Sequence, residues 1–163
     1  MASFELVEPR SRHEAIDLLA SDDPAVRPIG GGTALMLMMK AQIFKPVRLV
    51  SLRRLAAPFH GIGLSADETA FRIGAMTTFS QLQHSPIIER HLPVIKQTMT
   101  TLANVRIRNV ATVGGNLAHC DPHLDLPPVW MMLGAKVRIF GKSGERTIPV
   151  SEIFAGYYET TLG

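Results

Sequence analysis

Two glycine-rich turns, far apart along the chain, constrain the fold more than any other feature. The first reads Ile29-Gly30-Gly31-Gly32-Thr33 and the second Thr112-Val113-Gly114-Gly115-Asn116. In both, consecutive glycines beside a threonine bare the backbone N–H groups, so a ligand can approach the main chain closely. Successive N–H groups aimed at one point form a nest that suits a phosphate or a diphosphate. A fold that uses both turns must bring them to two sides of one ligand. Asp121-Pro122 and Asp125-Leu126-Pro127 trail the second turn. Asn116 supplies donor and acceptor together for a polar ring edge, and Asp125 can accept from a ribose hydroxyl.

Composition narrows the classes of protein that fit. Hydrophobic residues make up 46% and charged residues 19% of the 163, a globular balance without a disordered tract. That length allows one domain or two small lobes sharing an interface. A net charge of +3 is too small to indicate a nucleic-acid partner, although a cleft would focus it on an anionic ligand. Cys120 is the single cysteine, so this chain alone builds neither an internal disulfide nor a cysteine-ligated iron–sulfur cluster. Glu5 and Glu8 stand where an apolar signal core would be needed, and the apolar runs at 34–39 and 129–135 are too short to span a bilayer. The expected protein is soluble and cytoplasmic, with neither membrane nor nucleic acid among its partners.

Periodicity divides the chain in two. Residues 4–7 predict a strand, and Ser11 with Glu14 predicts the capping box of a helix burying Ala15, Ile16, Leu18 and Leu19. Residues 27–29 are extended, the run from Leu35 to Lys40 predicts a short helix, and residues 47–52 alternate as a strand. This order predicts a small parallel α/β lobe over residues 1–54. Residues 55–163 differ in texture. Hairpins are expected over 61–75 and 136–150, a capping box at Thr78 and Gln81, and a helix over 92–102. A further helix opens at Asp125-Leu126-Pro127-Pro128 and ends at Gly134. The second part therefore reads as α+β with mostly antiparallel pairing.

Several lookalikes fail on context. Gly61-Ile62-Gly63-Leu64-Ser65-Ala66 spells a dinucleotide fingerprint, but a second strand follows it where a helix is required. Gly141-Lys142-Ser143 resembles the tail of a P-loop, yet Lys136 occupies the position of the leading glycine. His119, Cys120, Asp121, His123 and Asp125 match no standard zinc spacing, and Pro122 breaks the helix that would align the two histidines. No metal site and no catalytic acid, base or nucleophile is expected. The methionines at 36, 38 and 39 and the pair Met131-Met132 are expected to fill the core.

The surviving motifs resemble one family. Gly30-Gly31-Gly32-Thr33-Ala34-Leu35 resembles the first FAD loop of the medium, flavoprotein subunits of molybdenum hydroxylases, among them the xanthine, carbon monoxide and aldehyde dehydrogenase-like enzymes. The segment from Ile107 through Thr112-Val113-Gly114-Gly115-Asn116 to His119 is similar to the second loop. Phe71-Arg72-Ile73-Gly74-Ala75-Met76-Thr77 and the segment from Phe154 to Leu162 also look like that family. The resemblance implies a two-lobed FAD-binding fold of the vanillyl-alcohol-oxidase (PCMH) type, with the cofactor between lobes 1–54 and 55–163. By position it implies that Pro28, Ile29, Gly30, Gly31, Gly32, Thr33, Ala34 and Leu35 wrap the diphosphate. Thr112, Gly114, Gly115 and Asn116 would hold the other side, with Asp125 and Leu102 also touching FAD.

The function implied is an electron-transfer subunit, with iron–sulfur clusters on a small partner and molybdopterin on a large one. Electrons would pass from the clusters through FAD to NAD or another acceptor. Two departures qualify the match. Ala34 stands where many members carry a polar residue, and the family's C-terminal domain is expected to be absent beyond Gly163. The rival expectation is a truncated, non-catalytic assembly or docking subunit with weak or no flavin binding.

Overall fold

The computed structural model describes residues 3–65 and 67–162. Ala66, the last letter of the rejected fingerprint, and Gly163, the chain end, lie outside the described residues.

The first part alternates strand and helix: β1 (Glu5–Val7), α1 (Arg12–Leu19), β2 (Val26–Ile29), α2 (Thr33–Lys40) and β3 (Arg48–Ser51). The three strands are parallel in the order β1-β3-β2, with Leu6 opposite Leu49 and Ile29 opposite Ser51. Strand β3 is central because Leu49 and Val50 are the residues apolar enough to be buried almost completely. A 3-10 turn at Leu52–Arg54 follows it. Ser11 caps α1 by accepting the Glu14 N–H at 3.1 Å, but Glu14 accepts from the Arg10 N–H at 2.8 Å rather than from Ser11. The expected box thus closes one residue upstream. Of its apolar face only Ala15 is fully buried, while Ile16, Leu18 and Leu19 are half-buried. Helix α2 begins at Thr33, two residues before the expected start, because Gly32 at φ 77° turns the chain directly into the helix.

The second part opens with the antiparallel pair β4 (Ile62–Leu64) and β5 (Phe71–Ile73). Six short helices follow: α3 (Phe79–Gln83), α4 (Pro86–His91), α5 (Pro93–Thr101), α6 (Val105–Arg108), α7 (Val113–His119) and α8 (Leu126–Met132). The hairpins β6 (Lys136–Gly141) with β7 (Gly144–Pro149), and β8 (Phe154–Gly156) with β9 (Glu159–Thr160), complete it. Thr78 and Gln81 form a full capping box on α3. Pro86 starts α4, which the periodicity did not reveal: proline fits the first helical position, and Ser85 caps it by accepting from Ile88. Gly134, at φ 64°, ends α8 through bonds from its own N–H and that of Ala135 to Met131 and Trp130.

One core lies among these helices, built on Leu82, Ile88, Ile95, Met99, Leu126 and Ile153, each with no measurable exposure. The mixed parallel and antiparallel pairing agrees with the expected fold class. Two expectations are corrected. Met131 and Met132 are 41% and 67% exposed at the end of α8, and of the Met36–Met39 run only Met39 is buried. The residues beside them turn inward instead, with Leu126 and Trp130 occupying the core face of the helix. Among the described residues no helix is long and apolar enough to cross a membrane.

Candidate functional site

The fold brings the two glycine segments into direct contact. The first leaves the carboxyl end of β2 and enters α2, the edge of a parallel sheet where ligand crevices form. Pro28 and Ile29 belong to β2, Gly30 to Gly32 form the loop, and Thr33, Ala34 and Leu35 open α2. The second segment is not a turn. It is the first half of α7, with Thr112 as N-cap and Gly114, Gly115 and Asn116 inside the helix. A pair of glycines disfavours a helix, but the cap offsets part of that: Thr112 Oγ1 accepts from the Gly115 N–H at 3.2 Å.

Steric demand explains the glycines better than ligand access alone. A Cβ on Gly31 would stand 1.9 Å from the Val110 carbonyl oxygen, and one on Gly30 would stand 2.9 Å from Thr112 Oγ1. A Cβ on Gly114 would meet the Ala75 Cβ at 2.7 Å. The segment 75–79 straps the second loop in place. Gly114 N–H donates to Ala75 O at 2.7 Å, Val113 N–H to Thr77 O at 3.0 Å and Phe79 N–H to Ala111 O at 3.1 Å. Sequence reasoning assigned neither Ala75 nor Val110 a role. The signal was the Phe71–Thr77 motif, whose Ala75 and Thr77 carbonyls brace the second segment.

What these loops leave open defines the chemistry. Among the described residues no backbone carbonyl takes the N–H groups of Gly31 and Gly32. Gly32 gives α2 no side-chain cap, so the first-turn donors of that helix also need a partner. Asn116 is 9% exposed, and among the described residues its Oδ1 finds no donor. Buried polar atoms are nearly always satisfied, so this one marks a position where a hydroxyl or amide donor belongs. Free backbone donors on one loop and a buried amide on the other fit a ligand with a diphosphate and polar hydroxyls.

The other expected residues stand along α5 and α8. Leu102, 7% exposed, closes α5 and joins the core. Arg108 fixes its turn by donating to the Leu102 and Ala103 carbonyls at 3.0 and 2.6 Å. Asp125 is exposed at the N-cap of α8 and lines a shallow groove of about 470 Å³ with Val94, Gln97, Thr98, Thr101 and Val129. At the far end of α7, Cys120 turns the chain at φ 54°, and its buried thiol donates to the Glu159 carbonyl at 3.1 Å. Beside it, the His123 backbone N–H donates to Asp121 at 2.9 Å and holds its carboxyl below the usual carboxylate range. The hydrogen bond to Asp121 pushes the Tyr158 hydroxyl up. Among the described residues no group of three His, Cys, Asp or Glu side chains can hold a metal ion.

Comparison with known proteins decides the family. The family described as "FAD binding domain in molybdopterin dehydrogenase" matches residues 2–163. The chain belongs to this FAD-binding domain family. Among its relatives, the carbon monoxide dehydrogenase medium chain of Afipia carboxidovorans is 34% identical over 98% of this chain and 54% of its own length. The xanthine dehydrogenase FAD-binding subunit of Escherichia coli O157:H7 is 34% identical over 91% of this chain and 50% of its own. Among solved structures, carbon monoxide dehydrogenase from Hydrogenophaga pseudoflava superposes with a TM-score of 0.93 at 33% identity, covering 99% of this chain and 55% of that one. The chain thus spans about half the length of the relatives it matches. FAD is the cofactor of this domain family, and the free N–H groups of Gly31 and Gly32 with the Asn116 amide fit it.

Proposed function

We propose that this FAD-binding domain serves as the electron-transfer flavoprotein part of a molybdenum hydroxylase, with lobes 1–54 and 55–163 sharing the cofactor. The observation that carries this reading is the direct contact of two glycine segments, one whose amides find no carbonyl among the described residues and the other with an orphaned buried amide oxygen. Residues 28–35 bind the diphosphate through main-chain N–H groups, and α2 directs its positive end to the same point. Thr112, Gly114, Gly115 and Asn116 orient the opposite side, with Asp125 accepting a hydroxyl and Leu102 packing against a ring. FAD, when bound, would supply the redox chemistry, linking single electrons from an iron–sulfur small subunit to NAD or another acceptor, with a molybdopterin large subunit as the site of substrate oxidation. The chain itself positions the cofactor and shields it from water. It works in the cytoplasm. Its relatives' names, "medium chain" and "FAD-binding subunit", support this place in a larger assembly.

The test is reconstitution. The chain is incubated with FAD, desalted and scanned, then reduced with dithionite. A retained visible band that bleaches reversibly is expected. If no flavin stays with the chain, alone or with its partners, the docking-subunit alternative replaces this reading.

A further inference from the structure

Neither glycine loop brings a charge to the diphosphate. Residues 28–35 and 110–116 contain no ionisable side chain. A diphosphate seated on them would meet backbone dipoles alone, with no cation to offset its charge or to bind two of its oxygens at once. The parallel register places one such charge at the loop. Ile29 pairs with Ser51, so Gly30 and the 3-10 turn at Leu52–Arg54 leave the same end of adjacent strands. From that turn Arg53 reaches across, and its Nε–H donates to the Gly30 carbonyl at 3.4 Å. Its neighbour Arg54 is paired with Glu8 at 3.0 Å. Among the described residues no carboxylate pairs with Arg53, which is exposed.

We propose that Arg53 is a cofactor-binding residue: its guanidinium, tethered to Gly30 through Nε, presents its remaining N–H donors to the FAD diphosphate. This rests on FAD lying on the glycine loops. The single long Nε contact is a poor use for a fork of five donors, and a planar guanidinium suits two phosphate oxygens at once. The tether occupies only Nε, so among the described residues the terminal N–H donors of Arg53 stay free beside the loop. Anion binding at this end of the sheet then combines fixed dipoles with one mobile charge.

The experiment measures FAD affinity of the full chain by flavin fluorescence, for wild type, Arg53→Gln and Arg53→Lys, at low and high salt. Arg53→Gln should weaken FAD binding about tenfold at low salt, the loss expected for one charge-assisted contact. Arg53→Lys should recover most of it, and the gap should narrow as salt screens the charge. ADP should compete less well against the Gln variant, whereas adenosine, which lacks the diphosphate, should compete equally in both. Thermal unfolding of the FAD-free chain should be the same in all three. If wild type binds FAD and Arg53→Gln binds it equally well, the inference fails while the functional reading stands. If Lys fails as badly as Gln, or adenosine is affected as much as ADP, Arg53 merely shapes the loop and the inference fails. If wild type binds no FAD, both fall together.

Discussion

The two glycine segments share letters and differ in physics. In the first, the glycines make a sharp exit from a parallel strand, with Gly32 in the left-handed region and the amides of Gly31 and Gly32 taken by no carbonyl among the described residues. In the second, glycines sit inside a helix, braced by Thr112 below and by the Ala75–Phe79 strap beside it. One loop is built to present donors, the other to come close. Their contact teaches that a glycine pair next to a binding site can be demanded by the protein as much as by the ligand. The bareness of Gly31 is filled by the backbone of Val110, 1.9 Å from where its Cβ would stand.

The sharpest way to break the comparison is Gly31→Val. Its Cβ collides with backbone, which cannot swing aside, so the loops must part. We expect loss of FAD binding together with a destabilisation at or above the usual overpacking range of about 1–3 kcal/mol, read by chemical denaturation. Gly114→Val meets the Ala75 Cβ at 2.7 Å and its carbonyl oxygen at 3.0 Å, a milder clash than the 1.9 Å approach at Gly31, and should fall within that range. A Gly114 variant as damaging as the Gly31 one would mean that the strap is as rigid as the loop contact.

Asn116→Ala sharpens the difference from the other side. It removes an orphaned buried oxygen and adds a better helix former, so the unfolding temperature should hold or rise. FAD affinity should nevertheless drop about tenfold, as for one lost hydrogen bond to a ligand. A fall in stability with unchanged affinity would show Asn116 to be structural. Thr112→Val removes the cap of α7 and should destabilise the FAD-free chain by about 1 kcal/mol, measured by urea titration.

Asp121→Asn, just beyond the C-terminal end of α7, should have the smallest effect and a pH signature. The folded carboxyl is held below its usual range, chiefly by the His123 backbone N–H. Its contribution is therefore present above the unfolded carboxylate pKa and is lost as pH falls through the lower folded value. The stability gap between wild type and variant should close on acidification, and a gap that widened would refute the sign.

The sequence made some of this legible and concealed the rest for identifiable reasons. The parallel lobe could be read from alternating strand and helix signals, and the α3 cap from Thr78 and Gln81, because these are local patterns with short-range causes. The loops were recognisable by their glycines. Their nature was not: Gly114 and Gly115 oppose a helix by propensity, and only the long-range contact with Ala75 and the Thr112 cap override it. Helices α4 and α6 are four to six residues long, too short to show a period. The exposed Met131 and Met132 were misread because composition alone cannot say which face of α8 turns inward. Ala75 and Val110 escaped notice because small apolar residues carry no chemical signature of a bracing role.

The Gly31–Val110 contact also bears on how such a domain folds. It joins points about eighty residues apart, so chain entropy must be overcome before the contact can form. Local helices and hairpins can assemble on either side without it, and contacts of such high sequence separation are the slow ones. The cofactor cradle is then among the last features to mature, and neither segment acquires it alone. FAD uptake during refolding would keep time with completion of the whole domain, which makes the flavin spectrum a clock for folding as well as a reporter of binding.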